Sequence, residues 1–361
     1  LLYNRTEIKL WKSKKEEKGM EMIPLLEKLT QACGVAGDEG PIADLLEQEI
    51  KDIGPVRRTP LGSLICTVKQ EAPEKPHVVL EAHIDEIGLM VCAIDEEGFL
   101  KVTRCGGIDR RVATASPVLI HGRKGARRGI LCSEQSDPNK NPTLEQLFVD
   151  AGMSREQAEE EFPIGTRISY IGSLKHLLEG KVSSKALDDR CGCAAMIEAA
   201  RLLKGMDTDC SITLLLSVME EVGGMGAATG AFALQPITHC VSVDVSFALT
   251  PELQEHQGGR LGDGPMVGHN PILSREVSEQ MHAVGLEQNI RHQVKVYAGY
   301  RTGTDADGII LAGAGARGAC TCVPLRYMHT PVEVISVADV ENTARLAAAY
   351  VAQMVRPEGG R

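Results

Sequence analysis

The stretch that decides the fold is residues 77–86, which read HVVLEAHIDE. It begins with a short apolar run, and such runs are typical of strands that are buried on both faces of a sheet. A histidine and two acids, His83, Asp85 and Glu86, follow the run closely. In open α/β sheets, binding sites form beyond the carboxyl ends of the strands. The stretch therefore predicts a core strand that leads into polar side chains at the edge where a site would form.

Helical and strand patterns alternate on both sides of this stretch. Residues 41–52 have apolar side chains at helical spacing, and Gly54 and Pro55 end that pattern. Beyond residue 181, strands are expected at 211–218, 240–245, 294–297 and 318–323, and helices at 188–203, 276–284, 305–311 and 337–355. This alternation predicts an α/β fold with a mainly parallel, doubly wound sheet that has helices on both faces.

The region 87–180 has a different pattern. Short β-patterned segments with turn signals between them dominate it, and a short helix is expected at 143–151. We interpret this region as a small β-rich domain that is inserted into a discontinuous domain formed by 20–86 and 181–361. Residues 1–19 are charged and lack clean periodicity, so we expect an N-terminal extension that stands outside the fold.

Composition and charge argue against several functional classes. The 361 residues carry a net charge of −10, whereas a nucleic-acid-binding chain needs a concentrated basic face. Aromatic residues make up only 3%, which is too few for base-stacking platforms. The sequence contains no apolar run of about 18 residues, so it predicts no membrane span, and the charged first residues show no secretory signal. Eleven cysteines, an odd number, favour reduced thiols and a cytoplasmic location.

Histidines and carboxylates recur at the ends of the predicted strands. Imidazole and carboxylate groups are ligands for zinc and cobalt, and a pair of metals needs a shared carboxylate. Asp188, at the start of a predicted helix, is the candidate for this bridge. The remaining ligands would be His83 and Asp244 for one metal, and Glu221 and His329 for the other.

Two more acids have expected roles beside these ligands. Glu220 would stay free as the general base, and Asp85 would hold the imidazole of His83 through a carboxylate–histidine contact. Each signal also has a simpler interpretation. An isolated histidine is often an ordinary polar residue, a Glu-Glu pair is often a solvated face, and Asp188 with Asp189 could cap a helix.

These motifs together resemble the TET-type metalloaminopeptidases, whose members are labelled glutamyl aminopeptidase or cellulase M. The resemblance covers nearly all of residues 20–355 in the order of the family. The matching stretches are EAHIDEIGLMV (81–91), KALDDRCG (185–192), EEVGGMGA (220–227), VDVS (243–246), GTDADGI (303–309) and PLRYMHTPVEV (324–334).

The resemblance implies a zinc-peptidase-like fold in which 87–180 forms a PDZ-like dimerisation domain. It implies the same five metal ligands and the same base, with Asp85 as a supporting aspartate. It also implies a homo-oligomer, in which dimers assemble into hollow tetrahedral dodecamers that admit only unfolded peptides. Met225 and Arg301 depart from the family's pattern, so the resemblance implies no preference for a particular N-terminal residue.

The expected function is that of a dinuclear metal-dependent aminopeptidase, with two zinc or cobalt ions, that releases N-terminal amino acids from peptides by metal-activated water. The alternative is an N-acyl amino acid deacylase or carboxypeptidase that uses the same site. A glycosidase needs two carboxyls across a sugar and no metal, which the His-rich set disfavours. A binding protein with a degenerate site is disfavoured because every expected ligand is present. No nucleic-acid or membrane partner is expected.

Overall fold

The computed structural model describes residues 22–135, 137 and 139–354. The extension expected at 1–19 lies outside these residues. Within the described ranges, no helix combines the length and the apolar character that a membrane span requires.

The helices of the described part are α1 Met22–Gln31, α2 Gly40–Ile50, α3 Arg110–Ala113, α4 Arg155–Glu161, α5 Leu187–Lys204, α6 Met225–Phe232, α7 Arg275–Glu287, α8 Ala306–Ile309 and α9 Val337–Met354. The strands are β1 Val56–Arg58, β2 Leu64–Lys69, β3 His77–His83, β4 Gly88–Ile94, β5 Leu100–Cys105, β6 Ser116–Gly122, β7 Gly125–Ser133, β8 Leu147–Asp150, β9 Arg167–Tyr170, β10 Lys175–His176, β11 Lys181–Ser184, β12 Ser211–Ser217, β13 His239–Phe247, β14 Met266–His269, β15 Gln293–Val296, β16 Arg317–Leu325 and β17 Glu333–Ser336.

The central sheet has eight strands in the order β1-β2-β12-β3-β13-β16-β14-β15. Its four middle strands, β12, β3, β13 and β16, run parallel to one another. Strand β2 is antiparallel to both β1 and β12, and β14 is antiparallel to β16. The chain therefore has the expected α/β fold, with a mixed sheet whose parallel strands lie at its centre.

Both faces of this sheet are covered because alternate side chains of a strand point in opposite directions. On β3, Val78 and Leu80 belong to a buried cluster with α1, α2, α5 and α9. Val79, between them, belongs to a second cluster with α6 and α8 on the other face. The core strand predicted from the apolar run is thus packed between two helical layers.

Strand β3 continues three residues beyond the apolar run, to His83. Its extension includes Glu81, a fully buried acid that accepts hydrogen bonds from Ser217 Oγ at 2.6 Å and Ser242 Oγ at 2.5 Å. Hydrogen bonds from the two neighbouring strands make burial of this carboxyl group possible. The hydrophobic pattern alone does not reveal that continuation.

Strands β4 to β9 form a closed six-stranded barrel in the order β4-β5-β8-β7-β6-β9, between Gly88 and Tyr170. The helix expected at 143–151 is wrong. A short 3-10 turn, Leu144–Gln146, is followed by strand β8. Leu147 and Val149 alternate into the barrel core, where both are fully buried, so strand pairing replaces helix formation.

A small sheet connects two segments that lie next to the predicted site. Strand β11 pairs with both β10 and β17, so residues 175–184, which follow the barrel, are joined to residues 333–336. Helix α5 begins just after β11, and β17 begins four residues after His329. The small sheet therefore brings the start of α5 close to the His329 segment.

Candidate metal centre

The predicted site residues converge at the carboxyl edge of the parallel strands. His83 ends β3 and is opposite Ser217, the last residue of the neighbouring β12. Glu220 and Glu221 follow β12 in the turn that precedes α6, and Asp244 lies within β13. Parallel strands end at the same edge, so residues that are far apart in sequence meet there.

Asp188 lies between two histidines. Its Oδ1 is 3.1 Å from Nε2 of His83, and its Oδ2 is 3.4 Å from Nε2 of His329. Nε2 of His329 is also 3.4 Å from Oε1 of Glu221. The two oxygens of Asp188 thus face two different imidazoles.

Asp244 joins this group from the His83 side. Its Oδ1 is 3.8 Å from Nε2 of His83. The structure adds Asp189, whose carboxylate forms a possible three-residue metal site with His83 and Asp244. Its Oδ1 accepts from the backbone N–H of Gly192, and its Oδ2 is buried without a hydrogen-bond partner. In the sequence analysis, Asp189 is only part of a possible helix cap and has no metal role.

The turn that holds Glu220 and Glu221 is fixed by Asp85. The two carboxylate oxygens of Asp85 accept from the backbone N–H groups of Glu220, at 3.0 Å, and of Glu221, at 3.1 Å. Nδ1 of His83 is 3.2 Å from the backbone carbonyl oxygen of Asp85 and 3.5 Å from its Oδ1. Asp85 therefore orients one imidazole and two glutamates at once.

Glu333 has a similar role that the sequence did not reveal. Its oxygens accept from the backbone N–H groups of Asp188, at 3.1 Å, and of His329, at 3.0 Å. Glu333 is buried and lies at the start of β17. It ties together the two segments that the small sheet brings close.

Several backbones beside the site adopt strained conformations. Ala186, Met219, Tyr327 and His329 have φ values of 54° to 62°, in the left-handed region that residues with a Cβ rarely occupy. Each of them either is a predicted site residue or lies within two residues of one. Such outliers persist where the surrounding structure holds them in place, and they cluster at functional sites.

The electrostatics of the site favour bound cations. Burial raises the pKa of Asp244 and of Glu221, with nearby carboxylates adding to the effect. Burial opposes ionisation of Asp188 too, but contacts with His329 and His83 hold its pKa well below the usual range. Burial would lower the pKa of His329, yet hydrogen bonds to Asp188 and Glu221 raise it to about 11. Divalent cations would compensate this concentration of negative charge.

The residues present therefore fit divalent metals. Two groups of three ligand atoms, each within 4.8 Å of one another, share His83: one with Asp189 and Asp244, the other with Asp188 and Glu221. The unpartnered oxygen of Asp189 fits a cation in particular, because a buried carboxylate oxygen needs a partner. Imidazole and carboxylate are the ligands expected for zinc or cobalt.

A cavity of about 1150 Å³ opens in front of these residues. Glu220 lies in its wall without being part of either ligand group. Burial raises the pKa of Glu220 to about 8, while His83 opposes the rise and the Asp305 and Glu221 carboxylates add to it. Met225 and Arg301, the two departures from the family's pattern, also line the cavity.

The fold and the site together define a metal-dependent hydrolase of the α/β class. Comparisons with known proteins specify it further. Residues 62–346 match the family described as M42 glutamyl aminopeptidase. The lysyl aminopeptidase of Pyrococcus furiosus is 34% identical over 341 residues, which cover 91% of this chain and 96% of the relative.

Solved structures agree with this result. Aminopeptidase APDkam598 from the archaeon Desulfurococcus kamchatkensis has a TM-score of 0.85 and 27% identity, with 94% of this chain and 99% of that chain covered. The TET1 peptidase of Pyrococcus horikoshii, which can assemble into a tetrahedron or a large octahedral shell, has a TM-score of 0.82 and 27% identity, with 92% and 99% covered. The chain belongs to the M42 family and is a metal-dependent aminopeptidase.

Proposed function

We propose that the protein is a dinuclear metalloaminopeptidase that removes amino acids one at a time from the free amino end of peptides. One observation carries this proposal: the two oxygens of Asp188 face His83 and His329 at 3.1 and 3.4 Å. A carboxylate between two imidazoles matches a pair of divalent ions. His83 and Asp244 would hold one ion, and Glu221 and His329 the other.

The general base in this proposal is Glu220. Two divalent ions would polarise the scissile carbonyl and make a water molecule a stronger acid. Glu220 takes the proton of the attacking water and delivers it to the leaving amine. It must be ionised to do so, and neighbouring cations favour its ionised form against the effect of burial. Asp85 supports this step because it fixes the backbone of Glu220 and of Glu221.

The test of the base is Glu220→Gln. This variant keeps the shape of the side chain and loses the proton acceptor, so kcat should fall by about 10²–10⁴-fold while the bound metal is retained. Glu279→Gln, an exposed glutamate on α7, is the control and should keep full activity. Full activity in Glu220→Gln with its metal in place would contradict the assignment.

The alternative function is removal of an N-acyl group, or cleavage from the carboxyl end, at the same site. Aminoacyl-anilides with free and with N-acetylated amines distinguish it, before and after chelation and after re-addition of Zn²⁺ or Co²⁺. Metal-dependent cleavage of the free-amine set alone supports the aminopeptidase. Cleavage confined to the acetylated set would favour the deacylase. The names of the relatives support the first outcome.

The proposal extends to assembly and location. Residues 87–180, which include the barrel, would form a PDZ-like dimerisation domain. This domain would be inserted into a discontinuous catalytic domain formed by 20–86 and 181–361. The chain would form cytoplasmic dodecamers that act on unfolded peptides. The assembly described for the Pyrococcus horikoshii relative supports this, as does the apolar Leu178, 86% exposed between β10 and β11. Light scattering gives the test, since a monomeric mass at micromolar concentration would refute the assembly.

A further inference from the structure

A segment of the inserted barrel reaches the candidate metal centre. Strands β4 and β5 pair up to Gly88 and Cys105, which are direct partners. Gly88 lies five residues after His83, so the end of β5 lies beside the site. The next two residues, Gly106 and Gly107, leave the barrel at this point, and Gly107 lines the cavity.

These two glycines touch two of the predicted ligands. A Cβ on Gly107 would lie 2.5 Å from Nδ1 of His329 and 2.8 Å from its Cε1. A Cβ on Gly106 would lie 2.9 Å from Cγ2 of Ile87, 3.0 Å from Oε2 of Glu221 and 3.1 Å from the Cβ of Glu221. In a closely packed site, a Cβ on Gly107 would fit only if His329 moved, and a Cβ on Gly106 would push against Ile87 and Glu221.

Gly107 and the two carboxylates lie near different nitrogens of the imidazole of His329. Its Nδ1 faces Gly107, whereas its Nε2 faces Asp188 and Glu221 at 3.4 Å. The ring is therefore held between the barrel segment and the two carboxylates. Both ligands that contact the glycines, His329 and Glu221, are assigned to the same metal ion.

We propose that Gly106 and Gly107 are positioning residues, whose bare backbone forms the wall that aligns Glu221 and His329 toward one metal ion. This inference rests on the dinuclear site of the proposed function. The barrel domain thus contributes to the metal centre itself, although none of its side chains is a predicted ligand. Groups that orient metal ligands typically change metal affinity by 10–100-fold when they are altered.

The decisive variant is Gly107→Ala. The backbone of Gly107 is outside the left-handed region that favours glycine, so the change adds only a Cβ against His329. The protein is first freed of metal with a chelator and then titrated with Zn²⁺ in a calorimeter. The variant should bind one ion about 10–100-fold more weakly and the other with unchanged affinity. Gly40→Ala is the matched control, because a Cβ there meets nothing within 4 Å.

A second experiment, in a variant that lacks His329, distinguishes a positioning role of Gly107 from a general loss of stability. His329→Ala removes the ligand that Gly107 contacts, so adding Gly107→Ala to it should change neither the remaining zinc affinity nor the melting temperature. A further loss in the double variant would overturn the inference. If Gly107→Ala does not fold, Gly106→Ala takes its place. Its control is then Gly125→Ala, where φ is also positive and the space is open.

The outcomes distinguish this inference from the proposed function. Two ions bound by the wild-type protein and an unchanged titration in Gly107→Ala would overturn the positioning role alone. Equal weakening of both ions would also overturn it, because the contact involves only one pair of ligands. A wild-type protein that binds fewer than two ions would refute the dinuclear proposal and this inference with it.

Discussion

At the scale of single residues, the candidate site is organised by buried carboxylates whose two oxygens each accept a hydrogen bond. Asp85 holds the backbone of Glu220 and Glu221, and Glu333 holds the backbone of Asp188 and His329. A buried carboxylate is stable only when its oxygens are satisfied, and backbone N–H groups do this without adding charge. The predicted ligands are thus placed by acids that lie outside the ligand set.

Glu86, next to Asp85, forms a buried ion pair that we expect to be important for stability. Its Oε2 is 2.6 Å from Nζ of Lys185, and both side chains are almost fully buried. Glu86→Gln leaves the ammonium group without its counter-charge, so the free energy of unfolding should fall by about 3–5 kcal/mol. Urea denaturation of the protein, after its metal has been removed with a chelator, measures this change.

Lys185→Met in the same background is the control for this prediction. It removes one of the two buried cations that face Glu86, the other being Arg190 at 3.9 Å, so the double variant should regain part of the lost stability. A double variant that is less stable than Glu86→Gln would contradict the explanation by an unpaired charge.

Asp339 on α9 should make stability depend on pH. Burial raises its pKa to about 6, although its oxygens accept from the backbone N–H groups of Gly262 and Gly264. The folded state then binds more protons than the unfolded state between about pH 4 and about pH 6. The contribution of Asp339 to the free energy of unfolding is therefore present at low pH. It is lost, on the order of 3 kcal/mol, as the pH rises through this window.

Asp339→Asn tests this dependence because the amide does not titrate. The difference in unfolding free energy between wild type and variant, measured in urea from pH 4.5 to pH 7, should shift in favour of the variant as the pH rises. A difference that stays constant over that range would show that the carboxyl group has an ordinary pKa in the folded protein.

At the scale of elements, the approach of α6 to β12 decides where Glu220 and Glu221 lie. Gly226, in the first turn of α6, makes this approach possible, since a Cβ there would lie 2.2 Å from the carbonyl oxygen of Val218 and 2.7 Å from Oγ of Ser63. Helix and strand can therefore follow each other across the short turn that carries the two glutamates.

Gly226→Ala should disturb stability and activity together. Forcing a methyl group into this contact costs about 1–3 kcal/mol and displaces the turn, so kcat should fall as well. Thermal unfolding and anilide hydrolysis measure the two effects. Gly40→Ala, at the start of α2 with open space around it, is the control. Equal stability of the two variants would show that α6 can move without cost.

Strand β8 shows why element type is hard to predict in the barrel. Residues 147–150 are too few for a clear period, and the preceding Thr143 and Gln146 form a capping box, which is a helix-start signal. The 3-10 turn uses that signal, and pairing of β8 with β5 and β7 then determines its conformation. Local propensity is overruled here by neighbours that are distant in sequence.

At the scale of the whole molecule, metal binding should stabilise the fold. The predicted ligands come from five separate segments, so the unfolded chain cannot present them together. A ligand that binds only the folded state stabilises it by about 2.7 kcal/mol at a concentration of 100 times Kd. Chelation should therefore lower the melting temperature, and Zn²⁺ or Co²⁺ should restore it.

His83→Ala is the informative variant for this prediction, because it removes a proposed ligand of one ion and a member of both groups of neighbouring ligand atoms. Its melting temperature should respond much less to added metal than that of the wild type. Mg²⁺ at the same concentration is the control ion, since it prefers oxygen ligands. An identical response of both proteins to zinc would place the stabilising ion elsewhere.

The sequence by itself determined the α/β class, the core strand, the β-rich region and the set of candidate residues. These features are encoded locally: apolar runs and periods mark elements, and residue types at strand ends mark chemistry. Membership of the M42 family agrees with that interpretation. The assignments of Asp188, Glu220 and the other site residues remain predictions that the experiments above test.

Only the tertiary structure decided what supports those residues. Asp188 and Glu333 are 145 positions apart, and Asp85 and Glu220 are 135 apart, so no local pattern indicates their contacts. The buried Glu81, the unpartnered oxygen of Asp189 and the glycines of the barrel segment have meaning only through neighbours brought close by folding. Burial determines how much free energy an unpaired charge costs and whether a Cβ can fit at a given position. Burial is a property of the packed chain rather than of its sequence pattern.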